Sequence, residues 1–280
     1  MYRLKTLART VKRGVAAGEP LPAAWPILEQ KRALIRRGGI SMFAGPPGSM
    51  KTITLINIAM KADVPTLYFS SDSDDHTMAS RVLAYQTGNP SEVTEQWLKN
   101  NQEWASGVLK AADHIKWCFN PAPSFDDLYM ELDAFAEIHG QYPHKTVIDI
   151  LMDVDDGTGT VDQNYWATMA ELKVMARETQ TALVIAHHTT ESVKGEPCQP
   201  RSAIMGKANQ LPILIITLDG DAQNGRLHMS IVKNRYGKGD ATGRTYFSLE
   251  VDPAVCKVNE LPEIEAAATV AVGPWIPETA

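Results

Sequence analysis

Apolar positions along the chain fall into two periods. Short apolar runs of strand length occupy residues 40–44, 65–70, 146–151, 182–186 and 214–218. Each is bounded by turn-forming or polar residues, as buried strands are. Between them lie stretches with helical spacing. Ile53, Ile56 and Met60 share one face, as do Tyr165, Met169, Leu172 and Ala176. Residues 76–86 and the Trp- and Lys-containing segment up to 112 also read as helical, and 114–119 reads as a strand. Ser124 and Asp127 form a capping-box variant that opens a further helix, which ends near Gly140. Residues 227–232 and 246–251 form an antiparallel pair joined by a Gly/Lys/Asp turn. This alternation predicts an α/β fold: a mostly parallel central sheet flanked by helices, with a C-terminal antiparallel hairpin.

The two ends have a different texture. Residues 1–37 read as a basic arm, with Arg3, Lys5, Arg9, Lys12 and Arg13, then an Ala/Pro-rich linker and a short helix over 27–36. Residues 253–280 read as a disordered, mildly acidic tail. The core is therefore expected over 38–252. The arm is either a solvated tail or a contact for another subunit or DNA.

Composition narrows the function classes. The formal net charge is −6, so any nucleic-acid contact must be local rather than spread over the surface. No run of about 18 apolar residues occurs, which argues against a membrane-spanning helix. The basic start lacks an apolar secretory core. Cys118, Cys198 and Cys256 are far apart and form no Cys-x-x-Cys pair, consistent with free thiols in a reducing cytoplasm.

The chemistry is concentrated after the run 40–44. There Gly45, Pro46, Pro47, Gly48, Ser49, Met50, Lys51 and Thr52 stand between a strand and a helix. Glycines let a loop curl its N–H groups around an anion, and the helix start adds its positive dipole end. In this phosphate-binding loop Lys51 would hold the β- and γ-phosphates and Thr52 would ligate Mg²⁺. Met50 stands where glycine is usual. A side chain fits there if φ is negative, as expected next to a helix start.

Other candidates lie at strand ends. Asp149 closes a Thr-Val-Ile strand and is placed to bind Mg²⁺ directly or through water. Asp72 or Asp74 would polarise an attacking water, unless the acidic group only favours a helix start. His187 or His188 ends a strand within reach of a γ-phosphate. Lys233 and Arg235 flank Asn234, and alternation on a strand would point both the same way. In a ring of subunits they would act as trans fingers on a neighbour's site; otherwise they guard an edge strand.

These residues resemble the RecA/DnaB-like P-loop ATPases. Residues 69–84, FSSDSDDHTMASRVLA, are similar to the motif of DnaB-like replicative helicases in which Phe-Ser-Leu-Glu precedes a helix with a later Arg and Leu-Ala. TVIDIL, ALVIAHH and IVKNRYG follow in family order, and Met before the loop lysine is similar to phage-encoded RecA-like NTPases. The resemblance covers about residues 38–252. It implies Asp72 as catalytic acid, a residue shorter than the family's Glu. It also implies Asp149 as metal ligand, His187 as phosphate sensor, and Lys233 and Arg235 as the finger. Further implications are ATP and Mg²⁺, a hexameric homo-oligomer, and single-stranded DNA gripped by loops 153–163 and 190–205. The first loop carries acids rather than cations. Replication or recombination proteins follow as partners, with no membrane.

Two rivals use the same residues. A metal-dependent nuclease would hold metals on Asp72/Asp74/Asp75 and Asp153/Asp155/Asp156. A nucleotide-gated loader would bind ATP and hydrolyse it slowly.

Overall fold

A nine-stranded sheet carries the fold, with strand order β3-β2-β4-β5-β1-β6-β7-β8-β9. The computed structural model describes residues 18–155, 157, 165–190 and 198–261. The strands are β1 (Ile40–Gly45), β2 (Thr66–Ser70), β3 (Ile115–Cys118), β4 (Lys145–Asp149), β5 (Ala182–His188), β6 (Leu214–Asp221), β7 (Arg226–Asn234), β8 (Phe247–Asp252) and β9 (Lys257–Asn259). From β3 to β6 all neighbours run parallel. From β6 to β9 they run antiparallel. The expected parallel sheet with an antiparallel C-terminal pair is observed.

Helices close both faces. They are α1 (Pro26–Gln30), α2 (Lys51–Ala62), α3 (Asp75–Thr87), α4 (Ser91–Asn100), α5 (Gln102–Leu109), α6 (Phe125–His139) and α7 (Tyr165–Thr179). One core joins Leu55, Ile56 and Ile58 of α2 and Met78 and Val82 of α3 to Phe43, Val147, Val184 and Ile216 of the sheet. The other joins Leu128, Leu132 and Phe135 of α6 and Met169, Leu172 and Met175 of α7 to Met42, Ile148 and Ile185. Adjacent strand residues thus serve opposite cores, which is why these strands read as continuous apolar runs. The capping box is present: Asp127 N–H donates to Ser124 Oγ and Ser124 N–H to Asp127 Oδ2. Gly140 ends α6 with φ of 72°.

The chain ends differ from the sequence reading. Residues 18–37, expected as linker, belong to the core: Leu21, Trp25, Leu28, Ala33 and Ile35 are buried in it. Residues 253–259, expected in the tail, form a turn and β9. Asn57 of α2 donates to Cys256 O and accepts from Val258 N–H, and Trp25 Nε1 donates to Val258 O. Composition averages hid a few apolar side chains with long-range partners. Residues 1–17 and 262–280, the rest of the arm and tail, lie outside the described residues.

Lys145, at the start of β4, is wholly buried, and its Nζ donates to Ile58 O at 2.7 Å, within α2. Burial draws its pKa from 10.5 down to about 7. The unfolded chain therefore binds the extra proton between those values. The penalty is complete below about pH 7 and gone above 10.5, so this group makes stability rise with pH across that window. Lys145→Met is expected to stabilise the fold at pH 6 by roughly 1–4 kcal/mol, the range for replacing buried charges with apolar groups. It should also flatten the rise. Urea unfolding between pH 6 and 9 checks both.

Candidate phosphate-binding cleft

The loop 45–50 leaves the C-terminal end of β1, between β5 and β6, and runs straight into α2. Ligands of open α/β sheets bind at such strand ends. Local contacts explain the small residues. A Cβ on Gly45 would lie 2.7 Å from Leu218 O of β6, and Gly48 has φ of +79°. Met50 departs from expectation: its φ is +64° and ψ 32°, left-handed rather than negative. The helix begins at Lys51, as the sequence reading placed it, but its left-handed cap residue is Met50. Such a conformation costs a non-glycine residue about 1 kcal/mol.

Lys51 is buried, and its Nζ donates to Gly45 O at 3.0 Å and Pro46 O at 2.8 Å. Burial lowers its pKa to about 8, against the opposing charges of Asp149 and Asp72. Asp149, the last residue of β4, is 4% exposed and lies beside Ser70 of β2. Tyr68 Oη donates to its Oδ2 at 2.9 Å, and Thr52 adds a second side-chain hydrogen bond. Burial still raises its pKa to about 6, outweighing those bonds. A buried carboxylate hydrogen-bonded to a hydroxyl supplies the hard oxygen ligands that Mg²⁺ prefers, so the residues fit that ion.

The cleft has a volume of about 840 Å³, within the range of small-molecule sites. Its walls include Gly48, Lys51, Thr52, Asp72, Arg81, Asp149, Asp153 and His188, with Glu95, Pro253 and Cys256. The sequence-predicted Lys51, Thr52, Asp149 and Asp72 are therefore brought together. Asp72 is exposed on the loop after β2. Asp74 instead caps α3, accepting from Thr77 N–H at 2.7 Å.

The other candidates sit elsewhere. His187 does not line the cleft. Its Nε2 donates to Met205 O at 3.1 Å, and its ring meets Tyr165 edge-on at 4.9 Å. Burial pulls its pKa down to about 4. Strand parity is the reason: Leu183, Ile185 and His187 face α7, whereas His188 faces the α2 side and enters the cleft. That parity was available in the sequence as a signal for His188. Lys233 and Arg235 also lie away from the cleft. Lys233 pairs with Ile215 near the start of β6, away from the edge carrying the loop. Its Nζ donates to Asn209 O and Gln210 O, and burial with the charges of Arg235 and Arg201 lowers its pKa to about 8. Arg235, just past β7, is exposed. Sequence reasoning also missed Tyr68 as a partner of Asp149 and Arg81 as a cleft residue. Arg81 donates to Ser73 Oγ at 3.1 Å.

Of the acids named for a nuclease, Asp72 and Asp153 line the cleft, and the others described are engaged elsewhere. Asp74 and Asp75 bond backbone at the start of α3, and Asp155 accepts from Gly157 N–H. Among the described residues no group of three or more His, Cys, Asp or Glu could hold a metal; Asp156 is not among them. No described helix is long and apolar enough to cross a membrane.

The chain is similar in fold to two solved structures. It superposes on a solved ATPase domain with a TM-score of 0.73 at 13% identity, covering 91% of this chain and 96% of that one. It superposes on a DnaB-like replicative helicase, described with its interactions with primase, with a TM-score of 0.71 at 14% identity. That match covers 91% of this chain and 67% of the helicase. The RecA/DnaB-like fold expected from sequence is thus present. No protein-family model matches the chain. Sequence relatives are found among phage proteins. The Gene 65 protein of Mycobacterium phage D29 is 30% identical over 223 residues, 76% of this chain and 96% of its own length. That of Mycobacterium phage L5 is 32% identical over 255 residues, 88% of this chain and 94% of its own length. On that similarity the chain belongs to the family of mycobacteriophage Gene 65 proteins.

Proposed function

We propose that this protein is the subunit of a Mg²⁺-dependent ATPase ring that acts on DNA, single-stranded in this reading, during replication or recombination. The observation that carries the reading is the meeting of Lys51, Thr52, Asp149 and Asp72 in one cleft around the loop 45–50. Phosphoryl transfer needs positioning and charge neutralisation more than covalent chemistry. The loop N–H groups and Lys51 would bind the β- and γ-phosphates, with the lysine leaving the carbonyls of Gly45 and Pro46 to do so. Thr52 and Asp149 would hold Mg²⁺, which when bound neutralises phosphate charge. Asp72 would orient the attacking water and accept its proton. His188 rather than His187 would sense the terminal phosphate.

Lys233 and Arg235 act, in this reading, on a neighbour's nucleotide, which is supported by their distance from their own cleft. The likeness to a DnaB-like replicative helicase supports a hexameric ring and a DNA substrate. Of the DNA loops inferred from sequence, 153–163 and 190–205, residues 156, 158–163 and 191–197 lie outside the described residues. A loader that hydrolyses slowly has the same cleft and is separated by turnover alone.

ATP turnover measured with and without single-stranded DNA, alongside mass by light scattering, tests the whole. Lys51→Ala should lower turnover by at least about 100-fold while the protein stays folded. Arg235→Ala should lower it by about 10³-fold in the assembled form. Mixing the two inactive variants should restore part of the activity, because some interfaces then pair an intact loop with an intact arginine. No recovery on mixing discards the trans finger.

The two histidines separate in a second experiment. His188→Ala should reduce turnover with little change in melting temperature. His187→Ala should cost about 1–3 kcal/mol of stability and leave nucleotide affinity unchanged, since its contacts are to Tyr165 and Met205. Equal effects on turnover would remove the distinction.

A further inference from the structure

Met50 is the one loop residue that breaks the usual pattern, and its surroundings are built for it. Its backbone is left-handed, with φ of +64°. Its carbonyl is held twice by Thr54, from N–H at 3.0 Å and from Oγ1 at 2.8 Å. Its side chain packs against the core formed by α2 and the sheet. The side chain lies over Gly220 of β6. A Cβ on Gly220 would come within 2.8 Å of Met50 Cγ, 3.0 Å of Sδ and 3.1 Å of Cε, so its nearest neighbours would all belong to Met50. Gly220 is not in the left-handed region, so its conformation does not require glycine; the room for Met50 does.

We infer that Met50 is a positioning residue: its side chain, keyed into the space left by Gly220, holds the loop in its anion-binding curl before any nucleotide arrives. The inference rests on reading the loop as a nucleotide site. A glycine at position 50 would reach the same left-handed turn without strain but would also reach many others. Binding would then carry the cost of ordering the loop. With methionine, that order is set in advance by packing, and the strain of the turn is offset by the contact with β6. Gly45 seats the other end of the loop on the same strand, against Leu218 O. The loop thus lies close to β6 at both ends.

The test uses the full chain and a fluorescent ADP analogue. Met50→Gly is expected to raise the analogue's Kd about two- to fivefold. Amides of residues 49–52 should exchange hydrogen faster in the unliganded variant. Gly220→Ala should raise Kd by at least about fivefold through overpacking against Met50. Combining the two should return Kd to the level of Met50→Gly alone, because the added methyl then no longer meets the methionine. If Gly220→Ala does not fold, recovery of the melting temperature in the double variant reads the same contact. The inference is overturned if Met50→Gly binds as tightly as wild type or tighter, or if the Gly220→Ala defect persists in the double variant. Wild-type protein that binds no analogue overturns the nucleotide reading instead. The exchange comparison on unliganded protein still decides the role of Met50.

Discussion

A buried ammonium held by neutral oxygens of its own loop is the constraint on which the cleft depends. Lys51 Nζ touches Gly45 O and Pro46 O, and the carboxylates of Asp149 and Asp72 act on it only through space. Burial pushes its pKa down to about 8 while pushing that of Asp149 up to about 6. Each charge is unfavourable in the cleft for the same reason, loss of water. A polyphosphate would relieve the first and a divalent cation the second. The two ligands together would offset both charges, which is the electrostatic logic of the Mg²⁺–nucleotide site proposed.

The sheet order makes that meeting of charges geometric rather than accidental. The central parallel strands place the ends of β1, β2, β4 and β5 side by side. Lys51 and Thr52 follow β1, Asp72 follows β2, Asp149 ends β4 and His188 ends β5. Residues scattered widely along the chain share one cleft because parallel strands expose their C-terminal ends on the same edge.

What could be read from sequence follows the range of the interactions involved. The loop, its flanking strand and helix, and the acid at the end of β4 are local patterns, so they were legible. The choice between the two histidines is a matter of parity: they point to opposite faces, and the family resemblance picks His187 whereas the strand places His188 in the cleft. Met50 was expected at negative φ, and the space its side chain occupies is left by Gly220, far along the chain. The ends were misread because a few apolar residues, Trp25 and Val258 among them, were outweighed by the Ala, Pro and Glu around them. Lys145 gave no sequence signal at all, since a lysine beginning a strand normally reaches solvent.

The antiparallel half of the sheet has its own physical role. Strands β6 to β9 carry the chain back across α2, where Asn57 binds both Cys256 O and Val258 N–H. Trp25, from the opposite end of the described chain, closes on the same strand through Val258 O. The helix that follows the phosphate-binding loop is therefore clamped by both ends of the fold, while β6 supports the loop itself at Leu218 and Gly220. The same β6 begins beside Lys233 and Arg235, through Ile215 and the Arg235 N–H bond to Ile213 O. One strand thus joins the loop that would hold this subunit's phosphates to the cations proposed for a neighbour's. A strand hydrogen-bonded on both sides is stiff, so loop and cations are held at a fixed distance. Such a fixed distance is what a ring needs if each site is to be completed by the next subunit.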